Sequence, residues 1–344
     1  MPEAKNVLVT GGAGFIGSAL IRQLLKLTEH SICNLDKLTY AANPAALTEV
    51  QHKRKYQFHK IDITNSEDVQ NIIFKFQPDI IYHLAAETHV DRSIDSSDAF
   101  MLTNVLGTHN LLKASLAYWE SLSETKAIKF RFHHISTDEV YGDLGKQGGV
   151  FKEESPYHPS SPYSASKASS DHLVRAWYRT YGLPILITNC SNNYGPFQHC
   201  EKLIPKVITN VIRGEEIPVY GNGQQIRDWL YVDDHADALI LIAEKATVGS
   251  TYNISGNNTF SNLQVIEKIC ELLEKEIPKE HRGYAQFDEL IRFIEDRPGH
   301  DIKYALDAQK LETELHWKPK ESFENGLEKT VKWFVAQSDL KLNS

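Results

Sequence analysis

Two residues separated by one helical turn could carry out proton transfer. Tyr163 and Lys167 are four positions apart, so on a helix they lie on one face. A tyrosine hydroxyl has a pKa of about 10 and is a poor base at neutral pH. A neighbouring lysine, together with a positively charged cofactor ring, would lower that pKa, and Tyr163 could then take a hydroxyl proton while hydride leaves the same carbon. The same spacing is common on helix surfaces, so it predicts chemistry only in combination with other motifs.

Two adjacent carboxyl groups could supply a second acid and base. Asp138 and Glu139 follow Thr137 at the end of a predicted strand, and polar side chains at the carboxyl ends of parallel strands face the ligand crevice. Neighbouring carboxyls whose environments separate their pKa values give one acid and one base. Thr137 is expected to position Tyr163 and a substrate hydroxyl. The alternative is a solvated turn without a chemical role.

A glycine-rich turn predicts where a cofactor binds. The segment from Thr10 to Gly17 follows the first predicted strand and opens a helix, and it fits both G-x-G-x-x-G and G-x-x-G-x-x-G. Glycines there allow a tight turn and let the backbone approach a pyrophosphate at the helix N-terminus. Asp36 ends the second predicted strand, 19 residues after Gly17, close to the ~20 expected for a carboxylate that binds ribose hydroxyls. Because a carboxylate repels a 2′-phosphate, we predict NAD rather than NADP, although Lys37 could offset part of that repulsion.

Short apolar strands alternate with helices in the first half of the chain. The predicted strands are 6–10, 31–36, 56–61, 79–84, 130–136 and 184–190, and the helices between them are 14–27, 66–76, 99–119 and 163–181. Such alternation indicates a parallel sheet with helices on both faces. We therefore predict an α/β fold with a doubly wound, Rossmann-like parallel sheet in residues 1–190. A smaller mixed α/β lobe, which binds substrate, follows in residues 191–344, and segments such as 227–231 could return a strand to the large sheet.

Composition and charge exclude several classes of protein. The chain has 344 residues, of which 41% are hydrophobic and 24% charged, as in globular proteins. A net charge of −8 disfavours binding to nucleic acid through a basic surface. The four cysteines form no C-x-x-C pair, which argues against a zinc site or a disulfide framework, and no metal site is predicted. Because neither a signal peptide nor an apolar run of ~20 residues is found, we expect a cytoplasmic protein without membrane contact.

The motifs together resemble those of a known family. The segments 10–17 and 136–142 and the Tyr163–Lys167 pair are similar to motifs of the extended short-chain dehydrogenases/reductases. The resemblance covers nearly the whole chain, through the segments 84–93, 191–196, 201–205, 227–232 and 296–301. It implies a tightly bound NAD and a hydro-lyase activity, namely the 4,6-dehydration of dTDP-glucose to dTDP-4-dehydro-6-deoxyglucose.

The resemblance also implies a role for each candidate catalytic residue. Tyr163 would deprotonate the sugar hydroxyl at carbon 4 as hydride passes to NAD⁺, with Lys167 holding the nicotinamide ribose. Glu139 would remove the proton from carbon 5, which the new ketone acidifies, while protonated Asp138 donates to the hydroxyl that leaves carbon 6. Hydride would then return to carbon 6, so that NAD is regenerated and the net reaction is loss of water.

Further binding positions follow from the same resemblance. Those implied for NAD are Gly11, Gly14, Phe15, Ile16, Gly17, Asp36, Lys37, Leu38, Thr39, Asp62, Ile63, Leu84, Ala85, Ala86, Thr103, Tyr163, Lys167 and Asn193. Those implied for the nucleotide sugar are Thr88, Thr137, Asn192, Lys202, Leu203, Pro218, Tyr220, Arg227, Asn262, Asp296, Arg297 and His300. Arg227 and Arg297 suit a diphosphate because guanidinium groups bind its oxygens in pairs, although each alone is more often a surface ion-pair partner. In similar enzymes the helices at 99–119 and 163–181 form a four-helix dimer interface, so a homodimer is expected.

Two departures from the family pattern and three alternative functions stay open. Asn189 stands where the family usually has Arg, and Cys200 where Pro commonly precedes Glu-Lys, which leaves the sugar nucleotide less certain. A nucleotide-sugar 4-epimerase would share the cofactor site and the Tyr–Lys pair, but such epimerases usually carry small residues in place of Asp138 and Glu139. A GDP-mannose 4,6-dehydratase commonly has Ser at position 138. A non-catalytic NAD-binding sensor would gain nothing from four matched titratable groups.

Overall fold

The large sheet contains seven parallel strands, and its order determines where a ligand crevice opens. The computed structural model describes residues 3–145, 148–278 and 286–338. In chain order the strands are β1 (Asn6–Thr10), β2 (Ser31–Asp36), β3 (Tyr56–Lys60), β4 (Ile80–His83), β5 (Arg131–Thr137), β6 (Ile185–Cys190) and β10 (Thr251–Ile254). Their spatial order is β10-β6-β5-β4-β1-β2-β3. Because β1 lies between β2 and β4, the strand order reverses there, and ligands of such sheets bind outside the carboxyl ends at this point. The predicted doubly wound α/β fold is confirmed.

Helices cover both faces of this sheet, which is why its central strands are apolar on both sides. The helices of the large layer are α1 (Phe15–Leu27), α2 (Ser66–Phe76), α3 (Val90–Asp95), α4 (Asp98–Phe100), α5 (Thr108–Glu120), α6 (Glu124–Ala127), α7 (Pro162–Tyr181) and α9 (Val232–Lys245). Val7 and Val9 pack with α1 and α9 on one face. Leu8 points the other way and packs with α2, α5 and α7. Each face of β1 therefore has its own core.

The helix predicted at 99–119 is interrupted by a wider turn. A π-helical segment, Met101–Gly107, connects α4 to α5. Its buried Asn104 donates from Nδ2 to the Ser166 hydroxyl on α7 at 2.8 Å, and its buried Thr103 faces the crevice. Local π-helical turns are frequent at functional sites. The interruption holds α7 beside the crevice.

The C-terminal lobe is built on two small sheets. One has three strands, β7 (Asn192–Tyr194), β9 (Ile226–Tyr231) and β11 (Thr259–Ser261), and the other pairs β8 (Ile217–Tyr220) with β12 (Ile291–Ile294). Its helices are α8 (Leu203–Arg213), α10 (Asn262–Glu276), α11 (Gln309–Leu315) and α12 (Phe323–Gln337). Ile208, Ile269 and Val331 bring α8, α10 and α12 into one buried cluster with Trp229 of β9. This separate core makes the lobe a distinct layer.

The chain returns to the large sheet after residue 190, but not through the predicted segment. Residues 227–231 belong to β9, which pairs with β7 and β11 in the small sheet, so that expectation is wrong. The strand that returns is β10, which runs parallel to β6. An apolar pattern predicts a strand but not its partner, because pairing is decided by which sheet edge the chain reaches. The division of the chain at residue 190 stays a prediction.

Two further expectations concern membranes and metals. Within residues 3–145, 148–278 and 286–338, the helices lack the combination of length and apolar character that a membrane crossing needs. The same ranges contain no cluster of three or more His, Cys, Asp or Glu side chains that could hold a metal ion.

We predict that acid destabilises this fold through its buried histidines. Burial lowers the pKa of His133 to about 3 and of His134 to about 4. The unfolded chain therefore binds more protons below pH ~6.5, and the free energy of unfolding falls as the pH drops from there toward 4, by up to ~1.4 kcal/mol per pH unit for each such histidine. Urea unfolding across this range should show a shallower fall for His133→Gln than for the wild type. The exposed His52→Gln variant serves as the control, and an unchanged slope in His133→Gln would contradict the prediction.

Candidate active site

The glycine-rich turn between β1 and α1 lets two backbone segments approach closely. Gly11 has φ +71°, and a Cβ atom there would lie 2.6 Å from the backbone nitrogen of Ala85. A Cβ on Gly17 would lie 2.2 Å from the Gly11 carbonyl oxygen. Gly14 precedes the first residue of α1 and supplies no side-chain cap, so the first N–H groups of the helix remain available to an anion. The turn has the geometry that a pyrophosphate site requires.

Asp36 is oriented by the backbone at the end of β2. Its Oδ2 accepts from the Ala13 N–H at 3.0 Å and its Oδ1 from the Leu38 N–H at 2.7 Å. Burial raises the pKa of Asp36, and these hydrogen bonds and Lys37 oppose that shift. Each carboxylate oxygen keeps a lone pair for another donor. A pair of ribose hydroxyls fits these free acceptor positions.

Lys37 is already paired, which limits its effect on cofactor choice. Its Nζ donates to the Thr103 hydroxyl at 3.2 Å and lies 3.7 Å from Asp62 Oδ2 and 3.8 Å from Glu87 Oε1. Its charge is thus shared between two carboxylates. Lys37 therefore offsets little of the repulsion between Asp36 and a 2′-phosphate. The preference for NAD over NADP rests on Asp36.

One cleft, with a volume of about 290 Å³, connects the glycine turn to the candidate catalytic residues. Most residues predicted to bind the cofactor line it, namely Gly11, Gly14, Phe15, Ile16, Gly17, Asp36, Lys37, Thr39, Ile63, Leu84, Ala85, Ala86, Thr103, Tyr163, Lys167 and Asn193. Thr88, Thr137, Asn192 and Lys202 of the predicted substrate set line it as well. Leu38 and Asp62 are not part of the cleft wall; Asp62 stands behind it, next to Lys37.

The acid–base pair lies on a tight turn that begins where β5 ends. Thr137 is the last residue of β5, and its Oγ1 accepts from the Glu139 N–H at 3.3 Å and donates to Asp138 Oδ1 at 3.2 Å. Asp138 is only 2% exposed, and its buried Oδ2 has no hydrogen-bond partner among the residues that the structure describes. An unpaired carboxylate would be strongly disfavoured there, so the environment favours the protonated acid.

The two carboxyls have unequal electrostatic surroundings. Burial raises the pKa of Asp138 well above its usual range, and the neighbouring Glu139 raises it further. Burial also raises the pKa of Glu139, but Lys202, Arg227 and Arg297 oppose that shift. Cations therefore favour the ionised form of Glu139 more than that of Asp138. Such a difference is what a pair needs to act as one base and one acid.

Tyr163 and Lys167 lie in the first turns of α7. A capping box formed by Ser161 and Ser164 begins this helix, with Pro162 in its first turn. Tyr163 is 7% exposed and Lys167 5% exposed, and both line the cleft. The Lys167 ammonium donates to the Ile135 carbonyl at 2.8 Å, which ties α7 to β5.

The chain's own groups do not lower the pKa of Tyr163, and the expected lowering by Lys167 together with a bound cofactor stays a prediction. Burial raises the pKa of Tyr163 well above its usual value, and the Glu139 carboxylate raises it further, whereas the Thr137 hydroxyl lowers it. The chain's own groups thus favour the neutral phenol, because a phenolate in a dry cleft loses its hydration. The predicted contact between Thr137 and Tyr163 is present. A lower pKa of Tyr163 requires positive charge beyond what the chain supplies.

The remaining predicted substrate residues lie outside the cleft wall, on the side of the C-terminal lobe. They are Leu203, Pro218, Tyr220, Arg227, Asn262, Asp296, Arg297 and His300. Arg227 is buried over the Tyr304 ring at 4.5 Å and donates to the Asp301 carbonyl at 2.9 Å. The Arg297 guanidinium instead pairs with Asp91 at 2.8 Å. Both arginines influence the pKa of Glu139, which places their charges on the Glu139 side of the site.

Sequence reasoning missed several polar residues of the cleft, among them Ser136 and Gln198. Ser136 and Gln198 both line it, and within the described part of the chain Ser136 Oγ and Gln198 Oε1 are buried without hydrogen-bond partners. Ser136 stands beside Thr137 at the end of β5, a position that could have identified it. Nothing in the sequence pattern marks Gln198. Buried polar atoms of this kind, together with the close approach at Gly11, fit an extended dinucleotide in the cleft.

The fold and the site together define an extended short-chain dehydrogenase/reductase. A family model described as GDP-mannose 4,6 dehydratase matches residues 8–330. The dTDP-glucose 4,6-dehydratase of Haemophilus influenzae is 55% identical over 97% of this chain and 98% of the relative. The crystal structure of dTDP-glucose 4,6-dehydratase from Bacillus anthracis in complex with NAD is 42% identical, with a TM-score of 0.84 over 97% of each chain. The chain therefore belongs to the nucleotide-sugar 4,6-dehydratase family, and within it to the dTDP-glucose 4,6-dehydratases.

Epimerases share the architecture but are less similar in sequence. The UDP-glucose 4-epimerase of Thermotoga maritima has a TM-score of 0.83 but is only 28% identical, over 96% of this chain and 99% of the other. The shared architecture does not separate the two activities, so the residues of the site must do so.

We predict that Gly11→Ala weakens cofactor binding by about tenfold or more, since the turn must move to make room for the added methyl group and each ~1.4 kcal/mol of lost binding energy is tenfold in affinity. The added methyl group would collide with the Ala85 backbone. Gly145→Ala is a matched control, because Gly145 has φ +59° but nothing within 4 Å of an added Cβ atom. Nucleotide released from each purified protein by heat can be measured by absorbance. Equal nucleotide content in the two variants would contradict the role of this turn.

Proposed function

We propose that this chain is an NAD-dependent hydro-lyase that converts dTDP-glucose into dTDP-4-dehydro-6-deoxyglucose. The observation that carries the proposal is the adjacent pair of buried Asp138 and partly buried Glu139, which shares one cleft with Tyr163 and Lys167. A simple dehydrogenase or an epimerase needs only the Tyr–Lys pair. An adjacent acid and base with unequal surroundings is what the elimination of water requires.

NAD fits the cleft from the glycine turn to α7. The residues that would hold it are those of the predicted cofactor set, with Gly11 and Gly14 at the pyrophosphate, Asp36 at the adenosine ribose and Lys167 at the nicotinamide ribose. When bound, NAD supplies a hydride acceptor and its positive ring. We add Ser136 to this set, because its unpaired hydroxyl lines the cleft beside Thr137.

Tyr163 acts first, as the base for the hydroxyl at carbon 4 of the sugar. The Thr137 hydroxyl lies close enough to lower the pKa of Tyr163 and can hold the same substrate hydroxyl. Lys167, anchored on the Ile135 carbonyl, places a positive charge beside the forming phenolate. Oxidation at carbon 4 then makes the proton on carbon 5 acidic.

Glu139 and Asp138 carry out the elimination. Lys202, Arg227 and Arg297 oppose the raised pKa of Glu139, so Glu139 rather than Asp138 is the carboxyl suited to take the proton from carbon 5. Asp138 is kept protonated by burial and by the adjacent carboxylate, so it can donate to the hydroxyl that leaves carbon 6. Water leaves, hydride returns to carbon 6, and the proton held by Glu139 returns to carbon 5. The sugar is then a ketone without its carbon-6 hydroxyl.

The C-terminal lobe would hold the nucleotide diphosphate. Arg227 is stacked on Tyr304 and bonded to a backbone carbonyl, so its position is set before substrate arrives. Arg297 would exchange Asp91 for a phosphate oxygen. Lys202, which donates to the Thr88 carbonyl at 3.1 Å, brings a third cation to the same side.

We further propose a cytoplasmic homodimer. The helix from α4 to α5 exposes Met101, Leu102 and Leu106, and α7 exposes Tyr178 and Tyr181. Exposed apolar side chains on two adjacent long helices support the expected four-helix interface. Four free thiols support a reducing compartment.

Light scattering should give particles of twice the chain mass of 39.1 kDa, and particles of the single mass would contradict the proposed dimer.

The activity is tested with purified protein, dTDP-glucose and no added NAD. We expect product whose mass is lower by one water molecule, with NAD carried through purification. Conversion of glucose to galactose at unchanged mass would identify an epimerase and overturn the roles of Asp138 and Glu139. No reaction even after addition of NAD would overturn dTDP-glucose as the substrate.

Glu139→Gln should slow dehydration by about 10²–10⁴-fold, the usual contribution of a general base. Because Tyr163 and Lys167 are intact, oxidation at carbon 4 should continue, and absorbance of the reduced nicotinamide should accumulate after addition of dTDP-glucose. The exposed Glu154→Gln variant is the matched control and should turn over at the wild-type rate without such a signal. Wild-type turnover by Glu139→Gln would be incompatible with this mechanism.

A further inference from the structure

A third ionisable residue lies on the catalytic face of α7, below the cleft. Asp171 follows Lys167 by one helical turn and is completely buried. Asp171 is not among the described residues that line the cleft. A buried carboxylate without a function in binding needs another reason to be there.

Three donors converge on this carboxylate from different parts of the fold. His134 Nε2 of β5 lies 3.0 Å from Oδ1, and the Tyr157 hydroxyl donates to Oδ2 at 2.8 Å. Asn189 Nδ2 of β6 lies 3.4 Å from Oδ2. Arg175, one turn further along α7, donates to the Tyr157 hydroxyl at 3.1 Å. This set of partners suits a negative charge, since each donates or brings positive charge.

The charge state of Asp171 follows from these contacts. Burial alone would raise the pKa of Asp171, but the hydrogen bond from His134 and the charges of Lys167 and Arg175 outweigh it and lower the pKa overall. Asp171 is therefore a carboxylate at neutral pH.

Lys167 needs such a partner. Burial lowers the pKa of the Lys167 ammonium, and the Asp171 carboxylate is the first group that opposes this shift. The other titratable groups around the two residues are His83 of β4, His134 of β5, Cys190 of β6, Arg175 of α7, and Tyr141 and Tyr157 of the loop after β5. Burial lowers the pKa of both histidines and raises that of Cys190 to about 12, so these three are neutral at pH 7.

The same cluster also reaches the acid–base turn. Asn189 Nδ2 donates to the Thr137 carbonyl at 3.1 Å, the last peptide before Asp138. Tyr141, at the other end of that turn, donates from its hydroxyl to Asn253 Oδ1 of β10 at 2.9 Å. Asp171 thus stands at the centre of a buried polar network that joins α7, β5 and β6 directly beneath the cleft.

We propose that Asp171 is a positioning residue, the buried counter-charge that keeps Lys167 protonated beside Tyr163. The proposal rests on the proposed function, in which the Lys167 ammonium stabilises the phenolate of Tyr163. It assigns to this chain a residue outside the cleft that governs the pH range of catalysis.

The test compares the pH profiles of dehydration by the wild type and by Asp171→Asn, which keeps the size of the side chain. Without the carboxylate, Lys167 should lose its proton at lower pH, and the alkaline limb of kcat should move down by about one pH unit or more. Asp171→Glu should restore the wild-type limb. Glu153→Gln is the matched control, because Glu153 is half-buried and accepts from the Asn253 N–H in the same network, at 2.9 Å.

Arg175→Gln should shift the alkaline limb of kcat in the opposite direction. It therefore tests the proposal even if Asp171→Asn fails to fold. Removal of this cation leaves Lys167 as the main positive partner of Asp171, so the alkaline limb should move to higher pH. A folded Asp171→Asn protein with an unchanged limb, or an Arg175→Gln limb that moves down, would overturn the proposal.

A second readout does not depend on substrate. In Asp171→Asn the folded state should release the Lys167 proton at lower pH while the unfolded chain keeps it up to pH ~10.5. The free energy of unfolding rises with pH wherever the unfolded state binds more protons than the folded state. The difference in free energy of unfolding between the wild type and Asp171→Asn, measured in urea, should therefore shrink between pH 7 and 10. A constant difference would refute the counter-charge. This measurement stands even if dTDP-glucose is not converted, so failure of the proposed function and failure of the inference can be told apart.

Discussion

Burial of ionisable groups at the carboxyl edge of the large sheet is the constraint on which the rest of the structure depends. Asp138, Tyr163 and Lys167 are all nearly excluded from water. Each would prefer its neutral form there, so every charge that catalysis needs must be matched by a fixed partner. Cations from the C-terminal lobe oppose the shift of Glu139, and Asp171 opposes that of Lys167. The cations oppose the raised pKa of Glu139 more than that of Asp138, which lets an acid and a base with similar side chains differ in charge.

The scaffold supplies this constraint through its connections. β5 delivers Thr137, Asp138 and Glu139 to the cleft, and α7 delivers Tyr163 and Lys167, while the Lys167 bond to Ile135 joins the two elements. The π-helical segment ties α7 to the cofactor side through Asn104. Positions in the active site are therefore set by contacts between elements rather than by the loops alone. Solved dTDP-glucose 4,6-dehydratases and 4-epimerases share this architecture, so the residues that it positions, and not the fold itself, decide the activity.

Much of the large layer could be predicted from local patterns. The glycine turn, the strands up to β6 and the helices that separate them all have apolar periodicities and turn residues that depend on near neighbours in the chain. Two features could not be predicted in this way. β10 joins the large sheet because the free edge of β6 is within its reach, and the interruption at Met101–Gly107 depends on packing against α7. Both depend on residues distant in sequence.

The sequence by itself determined the chemical groups of the site and their order along the chain. It gave a carboxylate 19 residues after the glycine turn, a tyrosine and lysine on one helical face, and two adjacent carboxyls at a strand end, because these relations are local. Only the tertiary structure decided how these groups are charged. Burial raises the pKa of Tyr163 in the chain alone. Cations of the C-terminal lobe oppose the raised pKa of Glu139 more than that of Asp138, and this difference separates the two carboxyls. Ionisation depends on water exclusion and on charges brought near in space, and neither is encoded by spacing along the chain.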